Sequence, residues 1–367
     1  MKKNIFISLN YAPGLLKEML SISQHLDDDR SSFLLYLSRG YEWMLEENSN
    51  IEFCNSFFAK SGKLGQIIDI PYITLQIFRT FFMHKCKSCI IYNISIYNSL
   101  IFLISYCFGI KKRVLILHEP YKEKSDIQGL FVKLYFLLAE LIQRLPISLS
   151  THIVLMSPNG EEIFRSNFRK YSGKVIGANL MVPDLLHEET PIKLRKFYTV
   201  VGRFNNIKKI DYFLDFISWS VKHNNNHNFL IVTSSNISKQ IKLLPNEVSE
   251  VIKIINPDKL SDEVICDALL SSKATFLLQP VITQSGVLPF SFMCGTPVIA
   301  LNNKGFSQYI NNKQNSFLVE DPANFEEIQS SISFLESNFE DISSNARKTY
   351  LNNFHPKNAK KYLSSII

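Results

Sequence analysis

Two cations stand where a diphosphate could be held. Arg203 follows Gly202 at the end of the apolar run FYTVV, and Lys208 stands five residues further on, where a helical pattern opens. Free N–H groups at a helix start carry partial positive charge, so cations beside one suit phosphate oxygens far better than they suit a core. A small-residue turn, Thr283-Gln284-Ser285-Gly286, separates the strand-like ATFLL from an apolar segment beginning at Val287. Hydroxyls, an amide and a glycine before a helix form a second phosphate-compatible turn. In the first half of the chain, His118 and Glu119 follow the apolar run VLIL, at a strand's carboxyl end, where α/β proteins place binding residues.

These groups must be positioned by alternating strands and helices. ATFLL ends at Pro280, Pro289 falls in the first turn of the next segment, and Gly295 sits where a helix C-cap belongs. PVIAL is another buried strand, and NNKG another turn ahead of a helix. Upstream, FYTVV, a helix over 208–222, NFLIVT, a helix over 236–244, VIKII and a helix over 261–271 keep the same order. Such order predicts a parallel sheet with binding loops at the carboxyl ends of its strands. The N-terminal half opens on NIFISLN, the turn Tyr11-Ala-Pro-Gly14 and a helix with Leu15, Met19, Ile22 and Leu26 on one face. THIVLMS is a further strand, and Ser157-Pro158-Asn159-Gly160 a turn before the helix EEIFRSNF. MVPDLLHEETPIK has two prolines, mixed charges and no periodicity, and reads as a linker. Four segments follow: a first domain over 1–182, a linker over 183–194, a second domain over 195–350 and a terminal helix over 351–367.

The spacing VGR-x4-K, then SGV-x6-CGTPVIA, KG and NSFLVED, resembles the nucleotide-binding half of glycosyltransferases of the GT-B fold. The retaining family 4 type of bacterial polysaccharide pathways is the nearest. The resemblance covers Phe197 to about Asp321 well and the N-terminal half more weakly. It implies an α/β fold of two Rossmann-like domains facing across a cleft, with a nucleoside-diphosphate sugar on the second. Arg203 and Lys208 would hold the donor diphosphate, and Gly202 and Thr283–Val287 would approach the donor. His118 would match the family's strand-end histidine, and Gly14, where the family normally has two glycines, its acceptor-side loop. The acceptor is expected to be a lipid-linked saccharide or another oligosaccharide of O-antigen or capsule type. No metal is expected, because cations stabilise the leaving group. The family usually carries two glutamates, E-x7-E, at the positions of Thr283 and Ser291, so the donor contacts there must differ. Two alternatives stay open. One is a GT-B scaffold without activity; the other is a sugar-nucleotide epimerase, for which Glu119 is the nearby carboxylate.

Other motifs carry less. Asp27-Asp28-Asp29 closes a helix and reads as solvated, and Cys86-Lys-Ser-Cys89 lacks the second ligand pair of a zinc site. No GxGxxG follows a strand, against a dinucleotide enzyme. The 367 residues suggest two domains, and 46% hydrophobic with 20% charged residues describes an ordered chain. Net charge is +7, with 21 basic against 16 acidic residues over 1–186. That excess suits anionic lipid or a phosphorylated substrate, and no stripe of cations and aromatics points to nucleic acid. The six cysteines lie mostly in apolar runs and read as buried thiols of a reducing compartment. No signal peptide is visible, so a cytoplasmic protein is expected, peripheral at the inner membrane face. Ser88–Ile110 is 23 residues without a charge, but its punctuation reads as strand and helix, not as a membrane span. The basic-aromatic end of 65–87 reads equally as an interfacial helix or as one with its aromatics packed inward.

Overall fold

The computed structural model describes residues 3–9, 13–26, 31–37, 52–58, 69–92, 97–118, 143–186, 194–204, 210–279, 285–364 and 366. Glu119, Lys208, Thr283, Gln284 and Asp27–Asp29 lie outside them, as do residues 187–193 of the expected linker. Two compact units form, one of residues 1–183 with 356–367, the other of 184–355.

The first unit is built on a seven-stranded parallel sheet in the order β3-β2-β1-β4-β5-β6-β7. Its strands are β1 (Lys3–Ser8), β2 (Ser31–Leu37), β3 (Glu52–Phe58), β4 (Cys86–Tyr92), β5 (Lys112–Leu117), β6 (His152–Leu155) and β7 (Val175–Gly177). Parallel strands are buried on both faces, so they read as continuous apolar runs, and period-two alternation divides their side chains between two cores. Ile5, Ile7, Cys89, Ile91, Leu115 and Leu117 fall on one face, packed with Ile73, Ile77 and Phe81 of α2 (Ile70–Met83) and Ile101, Phe102 and Ile104 of α3 (Asn98–Cys107). Phe6, Ile90, Tyr92, Val114 and Ile116 fall on the other. There they meet Leu16, Met19, Leu20 and Ile22 of α1 (Pro13–Gln24). Ala359 and Leu363 of the last helix, Ala359–Leu363, join the same core.

Two local expectations are corrected. Gly14 lies inside the first turn of α1, which begins at Pro13, and not in a loop before it. Likewise Ser157-Pro158-Asn159-Gly160 is a helix start: Ser157 caps α4 (Pro158–Asn167) by accepting from Gly160 N at 3.2 Å, with Pro158 at the first position. A missing N–H costs nothing there.

The second unit carries a six-stranded parallel sheet in the order β10-β9-β8-β11-β12-β13. These strands are β8 (Phe197–Val201), β9 (Asn228–Val232), β10 (Ile252–Ile255), β11 (Ser272–Leu277), β12 (Val298–Leu301) and β13 (Phe317–Val319). Each sheet grows outward in both directions from its first strand. The order reverses between β1 and β4 in one unit and between β8 and β11 in the other, and ligands bind at the carboxyl edge of such switch points. Helices α5 (Asp211–Lys222), α8 (Asp262–Leu270), α9 (Val287–Met293), α10 (Lys304–Ser307), α11 (Phe325–Ser337) and α12 (Phe339–Asn353) pack around it, with the short α6 (Ser238–Lys242) and α7 (Asn246–Glu250) between β9 and β10. Gly295 ends α9 with φ +61°, a conformation costly for any other residue, and its N–H returns to Phe292 O at 3.0 Å.

No described helix is long and apolar enough to cross a membrane. The uncharged stretch 88–110 is divided between β4 and the ten-residue α3.

Candidate functional site

The switch point of the second sheet brings together the two turns singled out for their chemistry. β8 and β11 are adjacent, paired through Thr199 and Thr275, so the chain leaves both at the same edge. Gly202 and Arg203 follow β8 directly; Ser285, Gly286 and α9 come after β11. Gly202 has φ +142°, in the region that favours glycine, and its N–H bonds Val232 O at 3.0 Å. That twist turns the chain off the strand, and Arg203 stands exposed beyond it. Among the described residues no carboxylate pairs with Arg203.

Neighbouring loops brace this edge. Phe204 N donates to Ser235 Oγ at 2.9 Å, and Ser235 Oγ returns a bond to Phe204 O at 3.1 Å. Asn256 donates from Nδ2 to Thr233 O and Ser235 O at 2.7 and 2.9 Å. The loops after β8, β9 and β10 are thereby joined, so Arg203 rises from a fixed base. On the other side Asn303 caps α10 by accepting from Gly305 N and Phe306 N, and donates to Gln279 O at 3.2 Å. Gln279 itself is buried, and its Oε1 has no partner among the described residues.

The predicted donor residues do not share one fate. Ser285 and Val287 are half-buried and Gly286 is exposed at the start of α9. Gly286 has φ −67°, and among the described residues nothing lies within 4 Å of where a Cβ would be, so its backbone alone does not require glycine. Ser291 departs from the expectation of a donor-facing group. It is fully buried, and its hydroxyl is shared between Thr275 Oγ1 and Thr296 O, both at 2.8 Å. A residue on the second turn of α9 points back at β11, which explains why serine, short enough to fit under the helix, occupies that place.

In the first unit His118 is buried directly after β5, and its Nε2 donates to a carboxylate oxygen of Glu18 on α1. The other Glu18 oxygen accepts from Met181 N at 2.8 Å. Tyr92 ends the adjacent strand β4, with its ring 6.1 Å from that of His118. Neither His118 Nδ1 nor Tyr92 Oη has a partner among the described residues. Burial, with the nearby Glu18 charge, pushes the Tyr92 pKa well above its ordinary value, so it stays a neutral phenol and a donor. With Nε2–H held by Glu18, a neutral imidazole presents Nδ1 as an acceptor. An acceptor and a donor thus lie unused beside each other, a pairing that fits a hydroxyl.

Glu18 and Tyr92 join the site only through the fold. The signal for Glu18 was there: it falls three residues after Leu15 and four before Ile22, an acid on the apolar face of a helix. The cysteines follow a simpler logic. Cys86 and Cys89 of β4 pack on the same core, the one under α2 and α3, because the β1–β4 pairing shifts register between Cys86 and Ser88, and burial raises the Cys89 thiol pKa. Cys89, Cys266 and Cys294 are buried, whereas Cys107 is exposed, contrary to its apolar surroundings in sequence. No cluster of three or more metal-ligating side chains occurs among the described residues.

Two parallel-sheet Rossmann-like α/β domains, each with its switch point at a carboxyl edge, define the GT-B class of fold. Comparison with known proteins agrees. Residues 195–335 match the family profile described as "Glycosyl transferases group 1". No curated protein sequence matches the chain. Among solved structures the chain is similar to HepE of Anabaena in complex with UDP, with a TM-score of 0.69 and 14% identity, covering 99% of this chain and 98% of that one. It is similar to a glycosyltransferase from Rickettsia africae, with a TM-score of 0.69 and 16% identity over 100% and 98% of the two chains. The lipopolysaccharide outer core galactosyltransferase WaaB aligns with a TM-score of 0.67 and 10% identity, over 98% of each chain.

Proposed function

We propose that the protein is a glycosyltransferase that takes a sugar from a nucleoside diphosphate and passes it to a saccharide acceptor. One observation carries this reading: the β8–β11 switch point gathers Gly202, Arg203 and the Ser285–Gly286 turn at one edge of a sheet whose residues match a glycosyltransferase profile. HepE has been solved with UDP and with UDP-glucose, which makes uridine-linked sugars the first donors to test.

In the reaction the bond from the anomeric carbon to the diphosphate oxygen breaks, and its electrons go to the diphosphate. The acceptor hydroxyl oxygen forms the new bond and releases its proton, for which the departing phosphate oxygen is a sufficient base. The protein's main task is to stabilise negative charge on the leaving group. Arg203, Lys208 and the amides near Gly286 are assigned that task, with no metal required, and one preorganised donor of this kind is worth about 3–4 kcal/mol. Transfer with retention, as in family 4 enzymes, needs no nucleophile from the protein. His118, held by Glu18, is assigned to a hydroxyl of the acceptor or of the sugar, and Glu119 stands next to it in sequence. Gly14 is assigned only a place near the acceptor side, through the first turn of α1.

The acceptor is proposed to be a lipid-linked saccharide of a bacterial surface polysaccharide, such as O-antigen or capsule, used at the inner face of the cytoplasmic membrane. The scaffold alternative draws on Thr283 and Ser291, which stand where the family has glutamates, and on the inward-turned Ser291 hydroxyl. A single experiment separates the two. Hydrolysis or transfer from a panel of nucleotide sugars should be measurable for the wild type and fall roughly a hundredfold in Arg203→Ala. Absence of turnover with every donor, in protein that still binds nucleotide, would favour the scaffold.

A further inference from the structure

The two helices that cover one face of the first sheet carry exposed apolar side chains on their outer side. On α2, Tyr72, Leu75, Phe78, Phe82 and Met83 are exposed; on and just after α3, so are Leu103, Tyr106 and Phe108. Phe82 is 84% exposed, Leu75 64%, Met83 63% and Tyr106 62%. These are not scattered positions. The helices pack side by side, and Phe108 meets Phe78 and Phe81 edge-on at 5.7 and 5.9 Å, so their outer residues form one surface. Inward-facing Ile73, Ile77 and Phe81 supply the core contact, while the outer side chains stay exposed.

From the first residue of α2 onward, the charge carried by these helices and the turns after them is of one sign. From Ile70 to Arg113 the chain has no Asp or Glu, and it carries Arg79, Lys85, Lys87, Lys111, Lys112 and Arg113. Arg79, Lys85, Lys87 and Lys111 are exposed, and no ion pair among the described residues involves them. α2 ends where β4 begins, and α3 ends where β5 begins, so Lys85, Lys87 and Lys111 gather at the amino edge of the sheet beside Phe82, Met83 and Tyr106. His118 lies at the opposite, carboxyl edge of the same strands.

We infer that this α2–α3 face docks on an anionic phospholipid surface, with the aromatic and aliphatic side chains entering the headgroup layer and the lysines and Arg79 against the phosphates. The combination decides the occupant. Apolar side chains alone would suit a protein partner, but a broad two-helix face rimmed by cations, with Asp69 at the start of α2 as the acid of these helices, matches what interfacial helices require. Of the aromatics on α2, Phe81 packs inward, as one reading of the sequence expects, and Tyr72, Phe78 and Phe82 stay exposed. This inference does not depend on the assignment of glycosyltransferase activity.

The test is sedimentation of the full chain with phosphatidylglycerol vesicles and with phosphatidylcholine vesicles, over a salt series, for wild type, Leu75→Ser/Phe82→Ser and Arg79→Glu/Lys85→Glu. All four positions are exposed, so unchanged melting curves are expected. Wild type should bind the anionic vesicles, more weakly as salt rises, and each double variant should bind at least roughly tenfold less. Equal binding of wild type to both lipids, binding unchanged in either variant, or no binding would overturn the inference. So would light scattering that shows a stable dimer which Leu75→Ser/Phe82→Ser converts to monomer, since the face would then be a protein interface.

Discussion

At the scale of single residues, the first unit is governed by Glu18, a carboxylate that joins His118 to the backbone at Met181. Removing its charge while keeping its shape should release the imidazole from one orientation and leave the fold standing. Glu18→Gln is therefore expected to lower turnover roughly tenfold or more, because the imidazole is no longer held in one orientation. A turnover equal to wild type, in protein with an unchanged melting curve, would leave His118 without its supporting role. Gly286 offers a sharper test of the second unit. Its φ of −67°, with no described residue within 4 Å of its Cβ position, means that Gly286→Val is compatible with this backbone. Loss of nucleotide-sugar binding in that variant, by calorimetry, would come from bulk placed in the ligand's path. Wild-type affinity would show that the turn is not the donor site.

At the scale of elements, a cluster at the amino edge of the second sheet makes stability depend on pH. Glu336 on α11 accepts from Lys273 at 2.5 Å and from Tyr198 Oη at 3.0 Å. Burial alone would raise the Glu336 pKa, but those two hydrogen bonds and the Lys273 charge bring it below its ordinary 4.5. The unfolded chain then takes up the proton first. The contribution is complete above pH 4.5 and is lost as pH falls through the lower folded value. His227 adds to this in a higher window. Burial, and the Lys273 charge, lower it from 6.5 despite opposing help from Gln329 and Glu336, so its contribution is lost as pH falls below 6.5. Thermal melts from pH 8 downward should show a two-stage acid limb, and Glu336→Gln should flatten the lower stage. A limb identical in the variant would remove this cluster as its cause. The elements themselves were largely legible from sequence, because fully buried parallel strands are apolar runs that glycine and proline punctuate. FYTVV, PVIAL and CIIY became β8, β12 and part of β4. Helix starts were less legible: Pro13 and Pro158 open helices that their turn-like sequences concealed. The inward direction of Ser291 was hidden for a related reason, since spacing gives a position along a helix but not the side that the sheet will cover.

At the scale of the molecule, two Rossmann-like units have different duties, and the second is assigned the nucleotide. Lys208, Thr283 and Gln284 belong to that assignment by sequence, and Gly202, Arg203, Ser285 and Gly286 by their shared place at the β8–β11 edge. The cleanest probe is titration calorimetry of the whole chain with UDP and other nucleoside diphosphates, since a bound diphosphate needs no knowledge of sugar or acceptor. The account predicts binding of at least one nucleoside diphosphate by the wild type, weakened about tenfold or more by Arg203→Ala with the melting temperature of the free protein unchanged. No heat with any nucleoside diphosphate, or equal affinity in wild type and Arg203→Ala, would contradict it.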